Sequence, residues 1–180
     1  MRLPFLVAAV LSPLVGSASA DQSDPALGPL FEALAAPEGN AASVQSQIED
    51  IWYRAPETGV GILFGRAIGA MNDGDTDLAL VLIGHVNGLA PSFAEAWVLK
   101  GHALSRLGDN GAAALAYDQA LSLEPRHYVA IARLGDLAVE AGDKRAGLDR
   151  YHDALLLNPH LDAVRERADR LRDETRAQEI

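Results

Sequence analysis

The chain has 180 residues, 49% of them hydrophobic and 22% charged, enough for one domain or one short array with a sizeable core and too apolar for intrinsic disorder. Twenty-five acidic residues against 15 basic ones give a net charge of −10, which disfavours docking on nucleic-acid phosphates or anionic lipid headgroups. With no cysteine, disulfides, thiolate metal sites, cysteine catalysis and covalent haem attachment are excluded.

In chain order, residues 1–20 read as a secretory signal peptide. Arg2 supplies the positive start, Leu3 to Val15 the short apolar run, and Ala18 with Ala20 the small-x-small pattern preceding cleavage. The run is too short for the roughly 20 residues a membrane-spanning helix needs. Expected, then, is a periplasmic or secreted product after cleavage near Ala20, with no transmembrane segment in the mature chain.

Residues 21–59 read as a divergent helical hairpin. Asp24-Pro25 is a helix start, Leu30, Phe31 and Leu34 an apolar face, and Pro37 to Asn40 a turn. Val44, Ile48, Ile51 and Trp52 come next at helical spacing, and Pro56 ends the segment. This hairpin is expected to seal the N-terminal edge of the array formed by residues 60–161.

Residues 60–161 repeat themselves every 34 residues, as units 60–93, 94–127 and 128–161. The second and third share ten identical positions, among them Gly101/Gly135, Gly108/Gly142, Asp109/Asp143, Tyr117/Tyr151 and Pro125/Pro159. The first keeps Gly74, Asp75 and Pro91 in the same register. Glycine ends a first helix in the left-handed conformation, aspartate caps the second, and proline stops it. Each unit is therefore a helix–turn–helix that must stack on neighbours to bury its apolar faces. Residues 162–180 form a capping helix and tail, with Leu161, Val164, Ala168 and Leu171 as a narrow apolar stripe on a charged helix.

This pattern resembles the tetratricopeptide repeat. Trp97, Gly101, Ala113, Tyr117, Ala120 and Pro125 carry the resemblance in the second unit, and Leu134, Gly135, Tyr151, Ala154 and Pro159 in the third. Lys100 and Leu104 depart from it, as does Ile131 in the tryptophan position. The resemblance implies an all-α solenoid of three repeats whose first helices line a concave, partner-binding face. Carried onto this chain, that face includes Phe64 and Ile68, then Glu95, Val98, His102 and Arg106, then Val129, Asp136 and Glu140. It passes from apolar through mixed to acidic, which suits a partner segment with apolar residues at one end and basic groups at the other. The lysines with which some relatives hold a terminal carboxylate are missing.

The expected function is thus a non-catalytic interaction module, an adaptor or assembly factor, that binds another envelope protein or peptide segment without a cofactor. The competing reading is a small-ligand or metal-binding protein, or a minor hydrolase, built on His102 and Asp136. These stand 34 residues apart at equivalent places on adjacent helices. No nucleophile motif accompanies them, and no two of the five histidines share a metal-binding helix spacing, so no catalytic or metal residue is assigned.

Overall fold

The computed structural model describes residues 24–36 and 40–177; the signal-like segment 1–20, most of the turn at residues 37–40 and the last three residues lie outside them. The described residues form nine α-helices and no strand. They are α1 (Leu27–Ala35), α2 (Ala41–Trp52), α3 (Thr58–Asp73), α4 (Thr76–Leu89), α5 (Ala94–Arg106), α6 (Asn110–Leu123), α7 (Tyr128–Glu140), α8 (Lys144–Leu157) and α9 (Asp162–Ala177). None is long and apolar enough to cross a membrane.

Helices α3/α4, α5/α6 and α7/α8 pair as hairpins that stack in sequence order, and α9 packs on α8. The hairpin tips are built from the repeated glycine–aspartate pairs. Gly74, Gly108 and Gly142 adopt φ of 85°, 79° and 88°, a left-handed backbone that side chains disfavour. The next residue then turns its carboxylate onto the opening helix. Asp75, Asp109 and Asp143 accept from the N–H of Leu78, Ala112 and Ala146 at 3.1, 3.0 and 2.9 Å. Within the second and third hairpins a tyrosine ring packs directly against glycine. A Cβ on Gly101 would lie 2.4 Å from the Tyr117 ring, and one on Gly135 2.8 Å from Tyr151.

The N-terminal hairpin does not seal the N-terminal edge. Ile62 on α3 is 61% exposed, whereas Ala96 and Ala130, its counterparts 34 and 68 residues on, are fully buried against the preceding hairpin. Instead α1 packs on α8, and α2 lies over the start of α7. The physical reason is the surface on offer. The open edge of α3 presents Gly65 and Gly69, beside which nothing lies within 4 Å, while the start of α7 presents Tyr128 and Ile131. Leu27, Leu34, Ile48, Ile51 and Trp52 join those residues, Val164 and Leu171 in one apolar cluster. At about 25 cal/mol per Å² of apolar area, the aromatic-rich surface is much the better partner.

Candidate functional site

The first helices of the hairpins, α3, α5 and α7, together with α9, turn one side inward. The two ends of that inner face differ. Towards the N-termini of α5 and α7 it is closed. Glu95, Val98 and Ala132 are buried, and Val129 is half-buried beneath the α1–α2 cluster. Towards their C-termini it opens into a groove of three adjoining concavities. The central one, of about 360 Å³, is lined by Ser105, Arg133, Asp136, Glu140, Tyr151 and Arg167, among others. The second, of about 230 Å³, adds His102 and Arg106, and the third, of about 250 Å³, runs on along α9 past Arg170 to Glu174.

The residues expected on a binding face therefore divide. Phe64, Glu95 and Val98 are corrected to core positions. The Phe64 ring meets that of Phe93 edge-on at 4.8 Å. Val98 packs with Tyr117 and Ala130. Glu95 accepts from His127 Nε2 at 2.8 Å, both side chains being at most 5% exposed. His127 caps α7 through Nδ1, which accepts the Ala130 N–H at 3.3 Å, so the ring proton sits on Nε2 and points at Glu95. Ile68 is half-buried against the α3–α5 core. His102, Arg106, Asp136 and Glu140 are brought together in the groove.

The carboxylates expected at the α7 end are hydrogen-bonded within the fold. Asp136 accepts from the Tyr151 hydroxyl at 2.7 Å, from Arg133 at 3.2 Å and from Arg167 at 3.0 Å. Glu140 accepts from Asn110 Nδ2 at 2.8 Å. The groove is mixed in charge along α7 and α9, but its His102 end is cationic: the lining there holds two arginines, Arg106 and Arg133, and no carboxylate. Each guanidinium has five N–H donors. Arg106 spends one on the Met71 carbonyl at 2.7 Å, and Arg133 spends one on Asp136.

Arg133 and Arg167 are not among the residues that the resemblance places on the face. They stand 34 residues apart, so the repeat register carried one step into the capping helix would have placed them side by side.

His102 is not paired with Asp136, whose bonds go to Tyr151 and the two arginines. Its ring meets Tyr117 edge-on at 5.7 Å, and Nε2 is buried without a hydrogen-bond partner. Burial pushes its pKa down to about 4, helped by the positive charge of Arg133 and by His127, against a smaller upward pull from Asp136. The imidazole is neutral at pH 7, but with no orienting carboxylate and no hydroxyl bonded to it, the arrangement required for nucleophilic hydrolysis is not assembled. Among the described residues no three His, Asp or Glu side chains are placed to hold a metal ion.

The tetratricopeptide repeat model matches residues 94–127. No curated protein sequence matches the chain. Among solved structures it is similar to the Sgt2 tetratricopeptide domain from Aspergillus fumigatus, at 19% identity and a TM-score of 0.64, over 69% of this chain and 84% of that one. The first tetratricopeptide domain of Spaghetti, bound to an HSP90 peptide, aligns at 16% identity and a TM-score of 0.61, over 64% of this chain and 92% of that one. An O-GlcNAc transferase mutant from Thermobaculum terrenum aligns at 26% identity and a TM-score of 0.59, over 62% of this chain but only 22% of the transferase. Sequence frame, hairpin tips and neighbours agree: the chain carries a tetratricopeptide repeat at residues 94–127 within a tetratricopeptide-type helical solenoid.

Proposed function

We propose that this protein is a non-catalytic adaptor or assembly factor of the bacterial periplasm, and that it docks a segment of another envelope protein in the groove between α5, α7 and α9. The observation that carries this reading is the uneven distribution of charge along the groove. Its carboxylates are bonded within the fold, while Arg106 and Arg133 line the His102 end with donors to spare. The partner segment that fits is extended and carries carboxylates, with charge-assisted hydrogen bonds to the guanidinium groups supplying register and specificity. That reverses the basic partner expected from the residue types alone. Support of a general kind comes from the Spaghetti domain, which shares the fold and holds a peptide.

Affinity capture from a periplasmic extract tests the groove. Arg133→Glu is expected to lose the co-purifying partner that the wild-type chain retains, and Leu115→Asp, at a 72%-exposed position on α6, to keep it. Unchanged capture by Arg133→Glu contradicts the groove reading. For location, the signal-like pattern of residues 1–20 is the support. N-terminal sequencing of the fractionated product is expected to begin at Asp21.

A further inference from the structure

The α1–α2 hairpin sits on the array in the way a bound ligand would. Trp52 is its anchor: the indole stacks on the His127 ring at 4.3 Å and 13°, lies 5.0 Å from the Tyr128 ring, and is 2% exposed. Ile48 and Ile51, on the same helical face, are buried beside it. Polar contacts ring this centre. Gln45 accepts from Asn158 Nδ2 at 3.2 Å, Glu49 from the Tyr128 hydroxyl at 3.4 Å, and His160 Nε2 meets the Leu34 carbonyl at 3.2 Å. A buried aromatic anchor within a polar rim is the anatomy of a protein–protein interface.

Three observations make the hairpin separable from the rest. Its polar contacts reach 79 to 126 residues along the sequence, and it is tethered to α3 only by residues 53–57. The apolar clusters of the first two stacked hairpins contain no residue of α1 or α2, which share a cluster only with the third hairpin and α9. Finally, the Trp52 Nε1–H is buried with no acceptor, a desolvation cost that opening relieves.

We propose that α1–α2 is a detachable cover, and that the face beneath it, centred on His127, Tyr128 and Ala132, is a docking surface for an amphipathic partner helix. That helix would present an aliphatic–x–x–aliphatic–aromatic face, as Ile48, Ile51 and Trp52 do. The inference rests on the reading of the inner face as a docking face, which it extends. Displacing the cover opens the closed half of that face, so the cover regulates how much of it a partner reaches.

A labelled synthetic peptide of residues 24–53 is the probe, and the full chain is the target. Wild-type protein, its seat filled in cis, is expected to bind the peptide at least tenfold more weakly than Trp52→Ala, and adding Tyr128→Ala to that variant to abolish binding. Hydrogen exchange on the unmodified chain is expected to show α1 and α2 opening together at least tenfold faster than α5 to α7. Equal or absent peptide binding overturns the proposal, as does exchange of α1–α2 in step with α5–α7. A dimer formed by Trp52→Ala alone also overturns it, since the hairpin would then be trading between copies. None of these readouts involves Arg133 or partner capture, so this inference and the groove reading fail separately.

Discussion

Two histidines of the same chain are buried to opposite effect. His127 gives its Nε2 proton to Glu95 and uses Nδ1 to cap α7, so both ring nitrogens are satisfied. Removing it in His127→Ala strands a buried carboxylate, and loss of a hydrogen bond to a charged group costs about 1.5–3 kcal/mol. A fall of that size in urea-unfolding free energy is expected, against less than about 1 kcal/mol for loss of the exposed Arg165–Asp162 pair in Arg165→Ala. His102, by contrast, is buried with Nε2 unbonded and its pKa lowered from 6.5 to about 4. The unfolded chain therefore takes up a proton near pH 6.5 that the folded chain refuses until near pH 4. Stability contributed by the neutral ring is complete above that window and is lost as pH falls through it, by about 3 kcal/mol in all. In His102→Phe the loss of stability between pH 6.5 and 4 is expected to be shallower than in wild type by roughly that amount. Equal slopes in paired unfolding series contradict the burial of His102.

At the scale of the element, the hairpins are held by contacts that only glycine permits. Gly101→Ala drives a methyl group into the Tyr117 ring, which is itself locked between α5 and α6, and overpacking of this kind costs about 1–3 kcal/mol. Calorimetry is expected to show a lowered Tm for Gly101→Ala and almost none of that loss for Gly111→Ala, whose Cβ would meet only the Asp109 carboxylate at 3.9 Å. These features were legible beforehand because they are local. A Gly-Asp pair states where one helix stops and the next begins regardless of its surroundings, and a period of 34 states that the unit stacks. The docking of α1–α2 was not legible. An amphipathic face with Ile48, Ile51 and Trp52 declares that it will be buried, but not against what. The choice of Tyr128 over the glycine-faced edge of α3 is a comparison between surfaces that exist only after folding. The inner face shows the same division. Repeat register located His102, Arg106, Asp136 and Glu140 in one groove, whereas the burial of Glu95 and Val98 followed from His127, Tyr117 and Ala130, partners contributed by other helices. The charge of the groove could not be read from residue types either, because Arg167 pairs with Asp136, and Tyr151 donates to it, only once α8 and α9 are packed in place.

For the whole molecule, the consequence is a solenoid whose inner face is half occupied by its own N-terminal hairpin and half open. The net charge of −10 repels acidic partners at a distance, while the open half concentrates arginines at one end. Salt screens the long-range repulsion while leaving the partly desolvated contact pairs less affected. Partner capture is therefore expected to weaken less between about 50 and 200 mM salt than for an interface driven by overall charge. The outer faces of α6 and α8, where Leu115 and Leu156 stand exposed, take no part in this scheme. Site-directed photo-crosslinking in intact cells decides the matter most directly, with a photoreactive residue placed in turn at Ser105, Glu140 and Leu115. A single shared adduct from Ser105 and Glu140, absent from Leu115, is the expected result. Crosslinks arising only from Leu115 contradict the groove as the docking site.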